Sequence, residues 1–147
     1  NNINMIKRLL SPSPVWQHNG LTIIRIVVGL FITYHGLEVF DQEKMNGYTQ
    51  WLKDLHFPSP AFMSYLGKGT EFIAGPLLLS GFLTRLAIIP LIITMVIITF
   101  GMGKGNIFMD DQHPFLFVLL FLVLFFTGPG KFSLDYLFFG KKETTSA

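Results

Sequence analysis

Hydrophobic residues along the chain come in long runs broken by a few polar positions, and neither period-2 alternation nor a narrow amphipathic stripe dominates. Spanning about 30 Å of hydrocarbon takes roughly 20 helical residues. The stretches 86–103 and 113–130 meet that length without a single Asp, Glu, Lys or Arg. The stretch 21–40 meets it only if Arg25, His35 and Glu38 are admitted, and 61–83 only with Lys68 and Glu71. Charges at such positions face a bundle interior and find partners there. The pattern therefore predicts an all-α protein: a four-transmembrane-helix bundle in one membrane domain, 1–147, with helices at about 21–40, 61–83, 84–103 and 113–130. Between the first two, Trp51, Leu52, Leu55 and Phe57 lie at near-helical spacing. They predict a short amphipathic interfacial helix, about 47–57, in the first extracytoplasmic loop.

Composition strengthens this picture. Half of the 147 residues are hydrophobic and 16 are Phe, against 11 Lys and Arg and 9 Asp and Glu. A mean hydropathy of +0.50 is too apolar for a water-soluble domain of this size. The absence of cysteine excludes iron–sulfur ligation by the chain's own thiolates and covalent haem attachment. A net charge of +2 gives no support to nucleic-acid binding. Lys7 and Arg8 precede an apolar run of about twenty residues with no small-residue cleavage site, which predicts a retained first helix rather than a cleaved leader. Lys7, Arg8, Arg85, Lys131, Lys141 and Lys142 fall on one side of the predicted bundle. Lys44, Lys53, Lys68 and Lys104 fall on the other, with most of the acidic residues. Positive-inside bias then puts both termini in the cytoplasm.

The polar residues inside the apolar runs are the candidates for chemistry. Arg25, Gly29, Ile32 and Gly36 share one helical stripe, and Gly67, Glu71, Gly75 and Leu78 share another. Small residues at that spacing let helices approach closely, which suggests an Arg25–Glu71 ion pair across them, either structural or part of a site. His35 and Glu38 are neighbours on one helix face. Together with Glu71, His35 could form a pocket that donates to a quinone carbonyl or carries a proton. His113 follows Asp110 and Asp111 and precedes Pro114, a helix-start pattern that leaves His113 on the same side as His35. No compact metal-ligand motif is present, and a bis-His haem between His35 and His113 has only those two residues in its favour.

Four segments, in order, resemble the DoxX family. They are Arg25–Gly29–His35–Gly36 in "RIVVGLFITYHGLEVF", then "NGYTQWLKDLHFPSP", then "EFIAGPLLLSGFLTRLAIIPL", and finally "TGPGKFSLD". The resemblance covers about residues 21–139. It implies a multi-pass protein of bacterial-type inner (cytoplasmic) membrane, in a family linked to redox processes that include a quinone-reducing oxidoreductase subunit. The first expectation is a quinone-linked or redox-associated subunit of a membrane complex, catalytic or not, with quinone at His35 and Glu71. The alternative is a non-catalytic scaffold or accessory subunit of an envelope complex. A small proton-coupled transporter ranks third. Expected partners are the lipid bilayer and other membrane or periplasmic subunits, or further copies of the chain.

Overall fold

A computed structural model of the chain describes residues 16–140, together with Lys7 and residues 10–13. Arg8, Lys141 and Lys142, which carry part of the charge bias, lie outside the described residues. Those described form helices and no strands. Helix α1, Gln17–Gly36, tightens into a 3-10 turn at Leu37–Phe40. Then come α2, Gln42–Asp54, and α3, Pro60–Ser80. Helix α4, Thr84–Val96, widens into a π-helical segment at Ile97–Met102. Helices α5, Gln112–Thr127, and α6, Leu134–Phe139, follow. By length and composition, Gln17–Phe40 and Thr84–Met102 can each cross a membrane, and Gln112–Thr127 is apolar but shorter.

Local chemistry explains the boundaries. Asp41 caps α2 by accepting from the N–H groups of Glu43 and Lys44, as an Asp at that position does. The helix therefore starts at Gln42 and ends at Asp54, earlier at both ends than the 47–57 expected. Leu55–Phe57 instead form a turn, with His56 in the left-handed region (φ 59°). Gly81 (φ 69°) closes α3 in the left-handed conformation that suits glycine.

Helices α1 and α3 pack with almost no space between their backbones. A Cβ at Gly29 would lie 2.7 Å from Leu79 Cα, one at Gly75 2.6 Å from Thr33 N, and one at Gly36 2.5 Å from Phe72 Cα. The antiparallel register is constant along the pair, and past Gly36 the Phe40 ring packs edge-on against Phe72 (5.1 Å between ring centres). Against this pair, α4 and α5 build the core, from Val28, Ile32 and Leu78 to Ile88, Leu91, Phe121 and Leu124. Large apolar side chains such as Leu30, Phe31, Ile73, Leu86 and Phe126 point outward, while Arg25 and Glu71 are each only 2% exposed. Apolar outside and charged inside is the distribution that suits a lipid bilayer.

Ser133 caps α6, its hydroxyl accepting from Tyr136 N. Asp135 reaches across to α4, where its two oxygens accept from Leu83 N (2.7 Å) and Thr84 N (2.9 Å). Its own N–H donates to Gly81 O. It thereby holds Leu83 in a left-handed conformation (φ 49°) that a branched side chain disfavours. Asp135→Ala is expected to lower stability by about 1–2 kcal/mol, the worth of a good N-cap. Thermal unfolding in detergent measures it, and an unchanged midpoint would refute the capping role.

Candidate functional site

The α1–α3 register decides which polar groups meet. It sets Arg25 beside Gly81, whose added Cβ would collide with the Arg25 guanidinium. Gly81 lies ten residues past Glu71, about 15 Å along a helix. The expected Arg25–Glu71 pair therefore does not form. Arg25 instead donates from Nη2 to Phe132 O at 2.8 Å. Its Nε and Nη1 are buried and have no partner among the described residues.

Glu71 meets the other end of α1. Lys68 Nζ lies 2.9 Å from Glu71 Oε2, one turn away on the same helix, and 2.9 Å from Glu38 Oε2 on the 3-10 turn. Glu38 is further held by Lys44 Nζ at 2.8 Å on Oε1 and by the Tyr48 hydroxyl at 2.7 Å on Oε2. Lys44 is exposed, whereas the Lys68, Glu38 and Glu71 side chains are 14%, 13% and 3% exposed. The Tyr48 ring also faces the Lys68 ammonium, 5.0 Å from ring centre to Nζ. Burial, and then the bond to Glu38, push the Tyr48 phenol above its ordinary range. It stays a donor at neutral pH.

Glu38 is thus engaged by two ammonium groups and a phenol, and no hydrogen bond joins it to His35 among the described residues. His35 packs edge-on against Tyr34 (6.0 Å) and against His113 (6.2 Å), which also meets Phe117 (5.2 Å). The structure brings the two histidines together, and no hydrogen bond joins either to Glu71 among the described residues. Asp111 braces a loop, its Oδ2 accepting from Lys104 N and Asn106 N at 2.9 Å each.

Beside the Lys68–Glu71 pair lies a cavity of about 400 Å³ between α2, α3, α4 and the π segment. Its walls are mostly apolar, with Trp51, Leu52, Phe57, Ile93, Ile97 and Met102 prominent. Glu71 lines it and His35 does not. Pro90 and the π segment shape its α4 wall; both interrupt the regular α-helical hydrogen-bond ladder, as cavity-forming helices often do. Lys68 and Tyr48 are the site residues that sequence reasoning missed. Lys68 carried a usable signal, being three residues from Glu71 and hence its neighbour on the helix surface.

The DoxX family model matches residues 20–104, from α1 through the π segment. A relative from Bacillus subtilis (strain 168), named "Putative oxidoreductase CatD", is 30% identical over 127 residues, covering 84% of this chain and 91% of that relative. No solved structure matches.

Proposed function

The chain belongs to the DoxX family, and from that premise we propose that it is a quinone-linked, redox-associated subunit of a bacterial-type inner-membrane complex. In this reading α1 with its 3-10 turn, α3, α4 with its π segment, and α5 are four membrane spans. Helix α2 lies along the outer interface, burying Met45 and Leu52 beneath it, and both termini are cytoplasmic. The name of the Bacillus relative supports the redox assignment.

The observation that carries the proposal is the cavity. It combines an apolar body with one polar end, the arrangement that binds small amphiphiles. A quinone fits that chemistry: its ring and tail would lie among Trp51, Phe57, Ile93 and Ile97, and a carbonyl would accept from Lys68. When bound, the quinone supplies the capacity to take up electrons and protons. The chain's own residues bind its head, exclude water from it, and place a carboxylate beside it. A partner subunit would deliver the electrons.

Gly67 provides the test. It lines the cavity, and a Cβ there would meet nothing closer than Thr94 Cγ2 at 3.9 Å. Gly67→Leu should fill the cavity without disturbing the fold, since leucine is also the better helix former. Purified protein is expected to bind a short-tailed quinone saturably, and Gly67→Leu to weaken that binding by at least about tenfold, or 1.4 kcal/mol, at an unchanged or raised unfolding midpoint. Absence of saturable binding in the wild type, or binding indifferent to Gly67→Leu, would sink the proposal. The second reading, a non-catalytic scaffold, would then lead. It is supported by the outward Leu116, Leu119, Val123 and Phe126 of α5 and the exposed Leu137, Phe138 and Phe139 of α6.

A further inference from the structure

The polar end of the cavity distinguishes two forms of a quinone-class ligand, and this inference rests on the reading of the cavity just given. An ammonium has three N–H donors. Two of those on Lys68 serve Glu71 Oε2 and Glu38 Oε2. The third has only the face of the Tyr48 ring. On Glu71, Oε2 receives Lys68, while Oε1 has no hydrogen bond to a described residue. The hydroxyls of the wall already donate elsewhere. Ser64 donates to Ala61 O and lies 2.9 Å from the Thr49 hydroxyl, Thr70 donates to Leu66 O, and Thr94 donates to Pro90 O. Besides the Trp51 indole N–H, which can donate to either form of the ligand, the cavity offers its occupant one donor on an ammonium and one acceptor on a carboxylate.

A quinone head has acceptors alone. Its carbonyl satisfies Lys68 but brings lone pairs against the lone pairs of Glu71. A hydroquinone satisfies both groups at once, its phenolic O–H donating to Glu71 Oε1 while the same oxygen accepts from Lys68. We propose that the cavity selects the hydroquinone, or an equivalent apolar phenol, over the quinone, with Glu71 as the specificity-determining residue. An unsatisfied buried acceptor costs more than a satisfied one gains, and hydrogen bonds to charged groups are the strong ones. The direction of selection follows from these two groups on the cavity wall.

Selectivity of this origin depends on the carboxylate being ionised. The groups that act on it are Lys68 on its own helix and Glu38 on the 3-10 turn, with Tyr48 on α2 and Lys44 acting through Glu38. His35 on α1, with His113 of α5 beside it, acts on Lys68 from farther away. Helix α4 contributes Pro90, Ile93 and Thr94 to this wall and no titratable side chain. A protonated Glu71 would donate to a quinone carbonyl, so acidification is expected to narrow the preference.

The test is calorimetric titration of the purified full chain with a decyl-tailed benzoquinone and, under argon, with its hydroquinone. At pH 7.5 the hydroquinone is expected to bind at least about tenfold more tightly. Glu71→Gln, whose amide both donates and accepts, should reduce that ratio to about twofold or less. Should the variant fail to fold, the wild type titrated with the dimethyl ether of the hydroquinone carries the same test: that ligand keeps its acceptors and lacks the O–H, and it should bind no better than the quinone. Equal binding of quinone and hydroquinone would overturn the selectivity and leave the cavity reading standing. Binding of neither form would overturn both.

Discussion

Gly36→Ala is expected to lower stability by about 3 kcal/mol, near the upper end of what overpacking usually costs. The added methyl would sit 2.5 Å from Phe72 Cα and 2.6 Å from the Glu71 carbonyl carbon. These are backbone atoms, so no rotamer change relieves the collision; α1 and α3 must separate. Separation at this point also pulls the 3-10 turn and its Glu38 away from Lys68, which is why the same variant is expected to weaken ligand binding. Gly69→Ala is the control. Nothing lies within 4 Å of its Cβ position, and alanine in place of glycine inside a helix should add roughly 0.5–1 kcal/mol. Unfolding both variants in mixed micelles measures the contrast. Equal stability of Gly36→Ala and wild type would show that the two helices are not held at backbone contact.

The sequence makes one half of that interface legible and hides the other. Arg25, Gly29, Ile32 and Gly36 follow from a 3.6-residue period, and all four are buried in the structure. Glu71, Gly75 and Leu78 on α3 are buried as well. A stripe on each helix does not give the register between them, because the intervening α2 leaves the offset free. The offset that occurs takes Arg25 to Gly81 and Phe132 and brings the Lys68–Glu71 pair of α3 to Glu38 through Lys68. Lys68 falls with Glu71 inside the 61–83 span but not among the candidate site residues, although its three-residue spacing to Glu71 is a local signal. Tyr48 had no such signal, for its bond to Glu38 depends on how α2 folds back over the 3-10 turn. The cavity was equally hidden. It exists only between elements, and the π segment that shapes one wall reads in sequence as an unbroken apolar run, "IITFGM".

Lys68→Met carries the largest expected effect, because it leaves a charged cluster without its shared cation. Glu38 retains Lys44 and the Tyr48 hydroxyl. Glu71, at 3% side-chain exposure, retains no cationic partner among the described residues. Removing one member of a buried ion pair costs about 3–5 kcal/mol, chiefly because the other is left charged in a poor solvent. The cost therefore belongs to Glu71 more than to Lys68, and this makes the prediction specific. Adding Glu71→Gln to Lys68→Met removes the stranded charge and should recover most of the loss, whereas adding Glu38→Gln should recover little. A double-mutant cycle on unfolding free energies reads both couplings. If Lys68→Met costs less than about 1 kcal/mol, or the two second substitutions rescue equally, the ammonium is not what holds Glu71 in the cavity wall. Ligand selectivity adds a separate readout. The rescued double variant should fold yet lose the preference for the hydroquinone, since neither the ammonium nor the carboxylate then lines the cavity.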